Sequence, residues 1–417
     1  MRPFTIVGAG QGGLCLAFGL LKDGHRVRLV SNRTADEIEQ GPVTSSQSMY
    51  DRANAIEREL GLNLWDHACP VFDEVGVTVT DGQGNVLVGL RGPMDRPGQA
   101  IDQGLKMAGW MRRFQASGGQ LAIEEGTVES LERAARESDL VVVATGKGSL
   151  SRLFERDPAR SAFDRPPHGI SLTYVKRNPR SDPDHTMAST LNPGIGKLAV
   201  FPGLTTSGPC EILTLLSDAG GPIDVWDDVK TPEQHLEVNQ RILDEVFPRE
   251  SERLGRLELC DPQAVARGRY TPEVRRPVAT LPSGAKVLGI GDAVILCDPM
   301  GGQGANLAAI HAAVVRDSVR ERGDLPFDEA WMVDTSERHW RNAQWGVKYS
   351  NMFAGPPSPA VGAFLGLAAG DPGLTRLLAN SLEAPESLAP WFFDAALLDQ
   401  FIASRARGGG AAGPGSS

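Results

Sequence analysis

The first thirty residues constrain the fold more than any other stretch. Phe4-Thr5-Ile6-Val7 is an apolar run of the kind that forms a buried strand. Gly8-Ala9-Gly10-Gln11-Gly12-Gly13 follows at once with G-x-G-x-x-G spacing. A helix is predicted from Gly12 to Asp23, stopped by Gly24. Arg26 to Val30 then reads as a second strand, with Val27 and Leu29 on one face. In such a βαβ start Gly8 permits the tight turn and Gly10 lets the backbone approach a pyrophosphate. Gly13 lets helix and strand pack closely, and the helix N-terminus offers free N–H groups. The same glycines would also suit a helix packed close to a sheet, but their place between strand and helix points to dinucleotide binding. The second strand normally ends near an Asp or Glu that bonds the ribose. Here Ser31-Asn32-Arg33 stand instead. Ser31 and Asn32 can bond a ribose without charge, and Arg33 can face an adenine, a phosphate or solvent.

A second strand-to-helix passage lies far downstream. Lys286 to Ile290 reads as a buried strand, followed by Gly291-Asp292-Ala293. Asp298-Pro299-Met300-Gly301-Gly302-Gln303-Gly304-Ala305-Asn306 comes next and opens a long helix, from about Ala305 to Arg322. Asp292, at the end of a parallel strand, can accept from a ribityl hydroxyl. Gly301, Gly302 and Gly304 let backbone N–H groups approach a planar ring, and the helix points its N-terminus at that ring. A reduced flavin carries negative charge near N1 and O2, which a helix N-terminus stabilises. A turn that merely packs a helix rarely needs Asp, Pro, three Gly and Asn in this order. Together the two motifs read as an FAD site and decide against NADP. Between them, the stretch Asp139 to Ala144 is fully apolar from Leu140 on, the mark of a central parallel strand, and it ends in Thr145-Gly146.

The fold class expected is α/β, a Rossmann-type FAD-binding domain with an insert. Residues 1–160 and 266–325 form the FAD-binding part, and 161–265 an inserted, mostly antiparallel β-rich substrate domain. A C-terminal helical region spans 326–403, and a Gly/Ala/Pro/Ser tail at 404–417 is expected to be disordered. Candidate strands in the insert are Ile170 to Val175, Leu198 to Phe201 and Cys210 to Leu216, with a helix from Pro232 to Val246. Earlier, Val75 to Thr80 and Asn85 to Leu90 alternate like a hairpin around Asp81-Gly82, and Gln103 to Ala116 is helical.

Composition narrows the function. A net charge of -10 argues against a nucleic-acid or anionic-membrane surface. No apolar run is long enough to span a membrane. The five cysteines are scattered and form no C-x-x-C, so neither a disulfide framework nor a zinc site is expected, and the histidines show no metal-ligand spacing. The expected location is the cytoplasm.

Taken together these residues resemble the styrene/indole monooxygenase family, two-component epoxidases whose oxygenase subunit takes reduced FAD from a separate NAD(P)H-dependent reductase. The segments that carry the resemblance are Ile6 to Gly10, Asp139 to Lys147 (DLVVVATGK), Gly289 to Asp292 and Asp298 to Asn306 (DPMGGQGAN). It covers nearly the whole chain. It implies FAD and O2 as cofactors, with Gly8, Gly10, Gly13, Ser31, Asn32, Arg33, Thr145, Gly146, Gly291, Asp292, Pro299, Gly301, Gly302, Gly304, Ala305 and Asn306 around the flavin nucleotide. Ser45-x-Gln47-x-Met49 resembles the indole-type pattern rather than the Asn-x-Val-x-His of styrene types. It also suits a polar loop capping the helix that begins near Asp51. Ser45, Gln47, Met49, Phe72, Val75, Pro299 and Met300 are the expected pocket wall. Trp331, Trp340 and Trp345 are further candidates, though core packing suits each of them. Pro42 stands where related proteins have an Arg near the flavin.

The implied chemistry is epoxidation of an activated alkene in indole or a styrene-like aromatic by a flavin C4a-hydroperoxide. The cofactor does that chemistry, so no catalytic side chain is expected. The protein supplies a dry, apolar, orienting pocket. The sequence leaves a homodimer open. One alternative is a single-component NAD(P)H-dependent hydroxylase. Such enzymes carry Asp-Gly where Thr145-Gly146 stands, and no second G-x-G-x-x-G is present. The other is a flavin-binding protein without catalysis.

Overall fold

A computed structural model describes residues 1–178, 184–355 and 357–407. In chain order the strands are β1 (Pro3–Val7), β2 (Arg26–Ser31), β3 (Ser48–Met49), β4 (Val71–Thr80), β5 (Val86–Ala100), β6 (Gln120–Ile123), β7 (Leu140–Val143), β8 (His168–Val175), β9 (Thr186–Asn192), β10 (Gly196–Thr205), β11 (Gly208–Asp218), β12 (Val265–Gly268), β13 (Glu273–Val274), β14 (Val278–Thr280), β15 (Lys286–Gly289) and β16 (Ile295–Leu296). The helices are α1 (Gln11–Lys22), α2 (Ala35–Glu39), α3 (Asp51–Leu60), α4 (Gln103–Ala116), α5 (Val128–Glu137), α6 (Pro232–Val246), α7 (Pro248–Leu254), α8 (Gln303–Arg322), α9 (Glu329–Asn351), α10 (Pro359–Ala369), α11 (Pro372–Ser381) and α12 (Ala395–Arg407).

Six strands form one sheet in the order β14-β15-β7-β1-β2-β6. Its pairs from β15 to β6 are parallel. A central parallel strand is covered on both faces, and every residue of β7 is accordingly buried. Helices α1 and α8 lie side by side on this sheet. Gly12 lets them approach, since a Cβ there would stand 3.2 Å from the Ala308 carbonyl oxygen. Parallel strands, crossover helices and a glycine turn at the switch between β1 and α1 make this the expected Rossmann-type layer.

The second sheet runs β12-β8-β11-β10-β9-β4-β5-β3 and is antiparallel except where β4 meets β9. It draws strands from both sides of residue 160. The hairpin β4–β5, placed above with the nucleotide-binding part, is hydrogen-bonded into this sheet through β9. Without β4, β9 would present an unpaired edge. At the far edge, β12 carries the same sheet to Gly268, three residues beyond the expected end of the insert at 265. Strand β5 also runs ten residues past Leu90, because its second half still pairs with β4. Helices α10, α11 and α12 close over this sheet around the buried Phe364, Leu388 and Phe392. Helix α12 continues through Arg407, so the C-terminal helical region ends later, and the tail begins later, than expected. Residues 408–417 of that tail lie outside the described residues. No helix among the described residues is long and apolar enough to cross a membrane.

Candidate active site

A cavity of about 870 Å³ lies between the two sheets. That is at the upper end of small-molecule sites. Its walls come from two sources. The carboxyl ends of β1, β2, β6 and β7 bring Gly8 to Gly12, Ser31 to Arg33, Glu124 to Gly126 and Thr145 to Ser149. The second sheet brings alternate residues: Val75 and Val77 from β4, Ile170 and Leu172 from β8, Met187, Ser189 and Leu191 from β9, and Ala199 and Phe201 from β10. The alternation follows from the two-residue period of a strand.

The first glycine turn is shaped as an anion cradle. Gly8 has φ +119°, a conformation that L side chains rarely adopt, and a Cβ there would overlap the Ala144 carbonyl. Gly13 is closed differently, since a Cβ would sit 1.9 Å from the Gly8 oxygen. It locks α1 to the turn and does not line the cavity. Gly10 is the open position, where a Cβ would meet no protein atom within 4 Å. The first hydrogen bond of α1 runs from Leu14 N to Gly10 O, and no side chain caps the helix. Its leading N–H groups therefore remain for a ligand.

The second turn meets the same cavity. Gly291, Asp292, Pro299, Met300, Gly302, Gly304 and Ala305 line it. Helix α8 starts at Gly302, in the left-handed region with φ +63°, again without a side-chain cap and with no acidic residue in its first turn. Burial holds the Asp292 carboxyl above the usual carboxylate range, and Lys147 opposes that shift. Lys147 itself lies over the Tyr270 ring, 3.7 Å from its centroid.

Besides Gly13, four expected flavin or pocket residues stand behind the wall. Gly301 faces α9, where a Cβ would meet Ser350 Oγ at 2.3 Å. Asn306 is a clamp: its Oδ1 accepts from Tyr50 N at 2.9 Å, and its Nδ2 donates to Ser48 O at 2.9 Å. Met49 alternates with the lining residues Ser48 and Tyr50 and turns into the core around α1. Phe72 is fully buried beneath Tyr50 and Phe201, at ring distances of 6.4 and 6.3 Å. The irregular register between Phe72 and Glu74 keeps Phe72 on the same apolar side as Val75. Trp331, Trp340 and Trp345 pack in cores or against Phe393 rather than in the cavity.

Ser45, Gln47 and Val75 do line the cavity. Gln47 is 5% exposed and has φ +40°, unusual for a side-chain-bearing residue. Its Oε1 is buried without a hydrogen-bond partner. On the nucleotide side Ser31 is turned inward, donating to Arg33 O at 2.7 Å, while Asn32 and Arg33 are exposed. Pro42 also lines the cavity. Among the lining residues that escaped the sequence reading are Glu125, Lys147 and Tyr270. Glu125 follows β6, which pairs with β2, so a carboxylate missing from the end of β2 has a counterpart one strand over.

Residues 146–253 match the family described as "Styrene monooxygenase A putative substrate binding domain". The styrene monooxygenase StyA of Pseudomonas fluorescens is 27% identical over 336 residues, covering 79% of this chain and 80% of that protein. The chain is thus similar to styrene monooxygenases over most of its length. Solved structures agree in fold. The flavin-dependent brominase Bmp2 superposes with a TM-score of 0.68 at 14% identity, covering 97% of this chain and 99% of that one. PqsL of Pseudomonas aeruginosa, in complex with 2-aminobenzoylacetate, gives 0.60 at 16% identity over 90% and 98%. These similarities make the protein an FAD-dependent monooxygenase that uses O2. The cavity suits FAD on its own geometry. Gly10 leaves the space a pyrophosphate needs, and two uncapped helix N-termini face one chamber.

Proposed function

We propose that this chain is the oxygenase component of a two-component system. A separate NAD(P)H-dependent reductase supplies reduced FAD, and the substrate is a small aromatic with an activated alkene, indole being preferred over styrene. When bound, the flavin supplies the activation of O2. The chain's own residues bind, orient and exclude water. Gly8, Gly10 and the N-terminus of α1 hold the pyrophosphate, and Ser31, Asn32 and Arg33 meet the adenosine side. Thr145 and Gly146 border the nucleotide, and Asp292 accepts from the ribityl chain. Pro299, Gly302, Gly304 and Ala305 back the ring, where the N-terminus of α8 favours the negative charge of the reduced state. Val75, Leu172, Phe201 and Met300 form an apolar wall that keeps water from the reacting atoms.

The observation that carries the indole preference is Gln47. Its buried amide oxygen lacks a partner and lines the same cavity as Val75, Leu172, Phe201 and Met300. An N–H from an indole-like substrate satisfies it, whereas styrene leaves it unpaired. An unpaired buried group costs on the order of 1–3 kcal/mol, so catalytic efficiency is expected to favour indole by roughly ten- to a hundredfold. The test is competitive turnover of indole and styrene, with an added flavin reductase, by wild type and Gln47→Met. The variant should help styrene, hurt indole and narrow the ratio. An unchanged ratio would leave the segment as a helix-capping loop.

A further inference from the structure

Oxygenation of this kind has a proton requirement that the cavity wall must meet. One atom of O2 enters the substrate and the other leaves as water. With a hydride equivalent from the reduced flavin, hydride, O2, substrate and one proton give oxygenated substrate and water. One proton must therefore reach the apolar end of the cavity, beside Val75, Leu172, Phe201 and Met300.

We infer that His168 and Asp298 form a proton relay that links this chamber to solvent through Asp218. His168 begins β8 and shares the face of Ile170 and Leu172, which line the cavity. Ser171 and Thr173, of opposite parity, turn to His235 instead. The His168 ring is 1% exposed, and its Nε2 stands 3.3 Å from Oδ2 of Asp298, also 1% exposed. Asp298 is itself a lining residue, directly before Pro299 and Met300, and its Oδ1 accepts from Met300 N at 3.0 Å. On the other side of the ring, Nδ1 lies 3.9 Å from Oδ1 of Asp218. Asp218 is the in-register partner of His168 on β11. Its side chain is 23% exposed and pairs with Lys197 Nζ at 3.1 Å. Carboxylate, imidazole and carboxylate thus run in line from the wall to the surface.

Neither ring nitrogen nor Asp298 Oδ2 completes a well-aligned hydrogen bond. A pair that only tied β8 to the glycine turn would leave these buried atoms at a cost with no return. In the relay, Asp218 takes a proton from solvent and passes it to Nδ1. Nε2 gives its proton to Asp298, which delivers it into the chamber. Rotation of Asp218 away from Lys197 closes the longer gap, and exchange of the ring tautomer resets the path.

This inference rests on the monooxygenase reaction but not on the identity of the alkene. The test compares wild type with His168→Gln, Asp298→Asn and Asp218→Asn, which keep size and hydrogen bonding but break the path. With chemically reduced FAD, O2 and styrene or indole as probe, His168→Gln and Asp298→Asn should lose about a hundredfold in oxygenation rate. They should release more hydrogen peroxide per flavin oxidised and show a larger solvent deuterium isotope effect. Oxidised FAD affinity and thermal stability should stay near wild type. Added imidazole should restore turnover to His168→Gly. A readout independent of turnover is the ring nitrogen resonance of His168, which reports the ring tautomer and should shift in Asp298→Asn. Variants with wild-type turnover, product yield and isotope effect would overturn the relay, as would an unshifted resonance. A wild type that makes no oxygenated product counts against the monooxygenase reading instead, and the relay is then judged by the resonance alone.

Discussion

Gly10 and Gly13 sit three residues apart in one motif, yet they answer to different forces. At Gly13 a Cβ would strike the Gly8 carbonyl oxygen, so any side chain must displace the turn itself. At Gly10 the protein leaves open space and an extended backbone with φ -89°, which valine tolerates. Gly10→Val is therefore expected to fold with a stability change within about 0.5 kcal/mol. It should nevertheless lose FAD affinity by about a hundredfold or more, a difference of roughly 3 kcal/mol, because the branch fills the pyrophosphate's place. Gly13→Ala should do the reverse and lower the melting temperature first. Flavin titration and thermal denaturation of the two variants separate these roles, and an unchanged affinity in Gly10→Val would place the nucleotide elsewhere. Both glycines were legible from spacing alone. Met49 and Phe72 were not, because an apolar residue beside a pocket and one behind its wall look alike in sequence. Only strand parity and the shifted register at Phe72 tell them apart.

Helices α8 and α9 carry a feature with no sequence signature. His311 and His339 stack in the core with ring centroids 4.2 Å apart and planes within 14°. His311 Nδ1 accepts from Gly291 N at 3.4 Å, directly behind the turn that lines the flavin cavity. Burial pushes His339 down to about 3, and burial together with His339 pushes His311 well below the usual histidine range. Both rings are neutral in the folded protein, whereas in the unfolded chain they titrate near 6.5. Below that value the unfolded state binds more protons, so stability falls as pH drops from about 6.5 toward about 3. Each such proton costs about 1.4 kcal/mol per pH unit within that window. His339→Phe removes one of them. Its melting temperature should fall less steeply between pH 6.5 and 4.5 than that of wild type, and parallel curves would show that the stack does not contribute. At this scale the sequence located β7, α4, α6 and α8, which follow from apolar runs, caps and periodicity, but it did not mark β6, α5 or β9. It stopped short on β5, whose second half has prolines and glycines and is held by its neighbour, not by its own pattern.

Across the whole molecule, the two motifs read some 280 residues apart in sequence close on one chamber. That convergence was legible because each motif follows a parallel strand, and parallel strands of one sheet end on the same side. The partition into domains was less legible, since nothing in residues 71–100 announces a partner strand beyond residue 185. The chamber also bears on the reductase question. Thr145 replaces the Asp of single-component enzymes, and no second nucleotide fingerprint appears in the chain. Anaerobic mixing of the FAD-loaded protein with NADH or NADPH in a stopped-flow instrument should leave the flavin oxidised, and rapid bleaching would end the two-component reading. The Asn306 clamp carries a last consequence. One side chain on α8 fixes the backbone of Ser48 and Tyr50, next to Gln47, which lines the cavity and is proposed to meet the substrate. The two ligands thus share a mechanical joint, and a free energy spent at one end is felt at the other. Thermodynamic reciprocity then applies: whatever factor the flavin imposes on substrate affinity, the substrate imposes on the flavin. Where that factor is favourable, a cofactor taken up from a separate reductase, as proposed above, would be held more tightly once something is there to be oxidised.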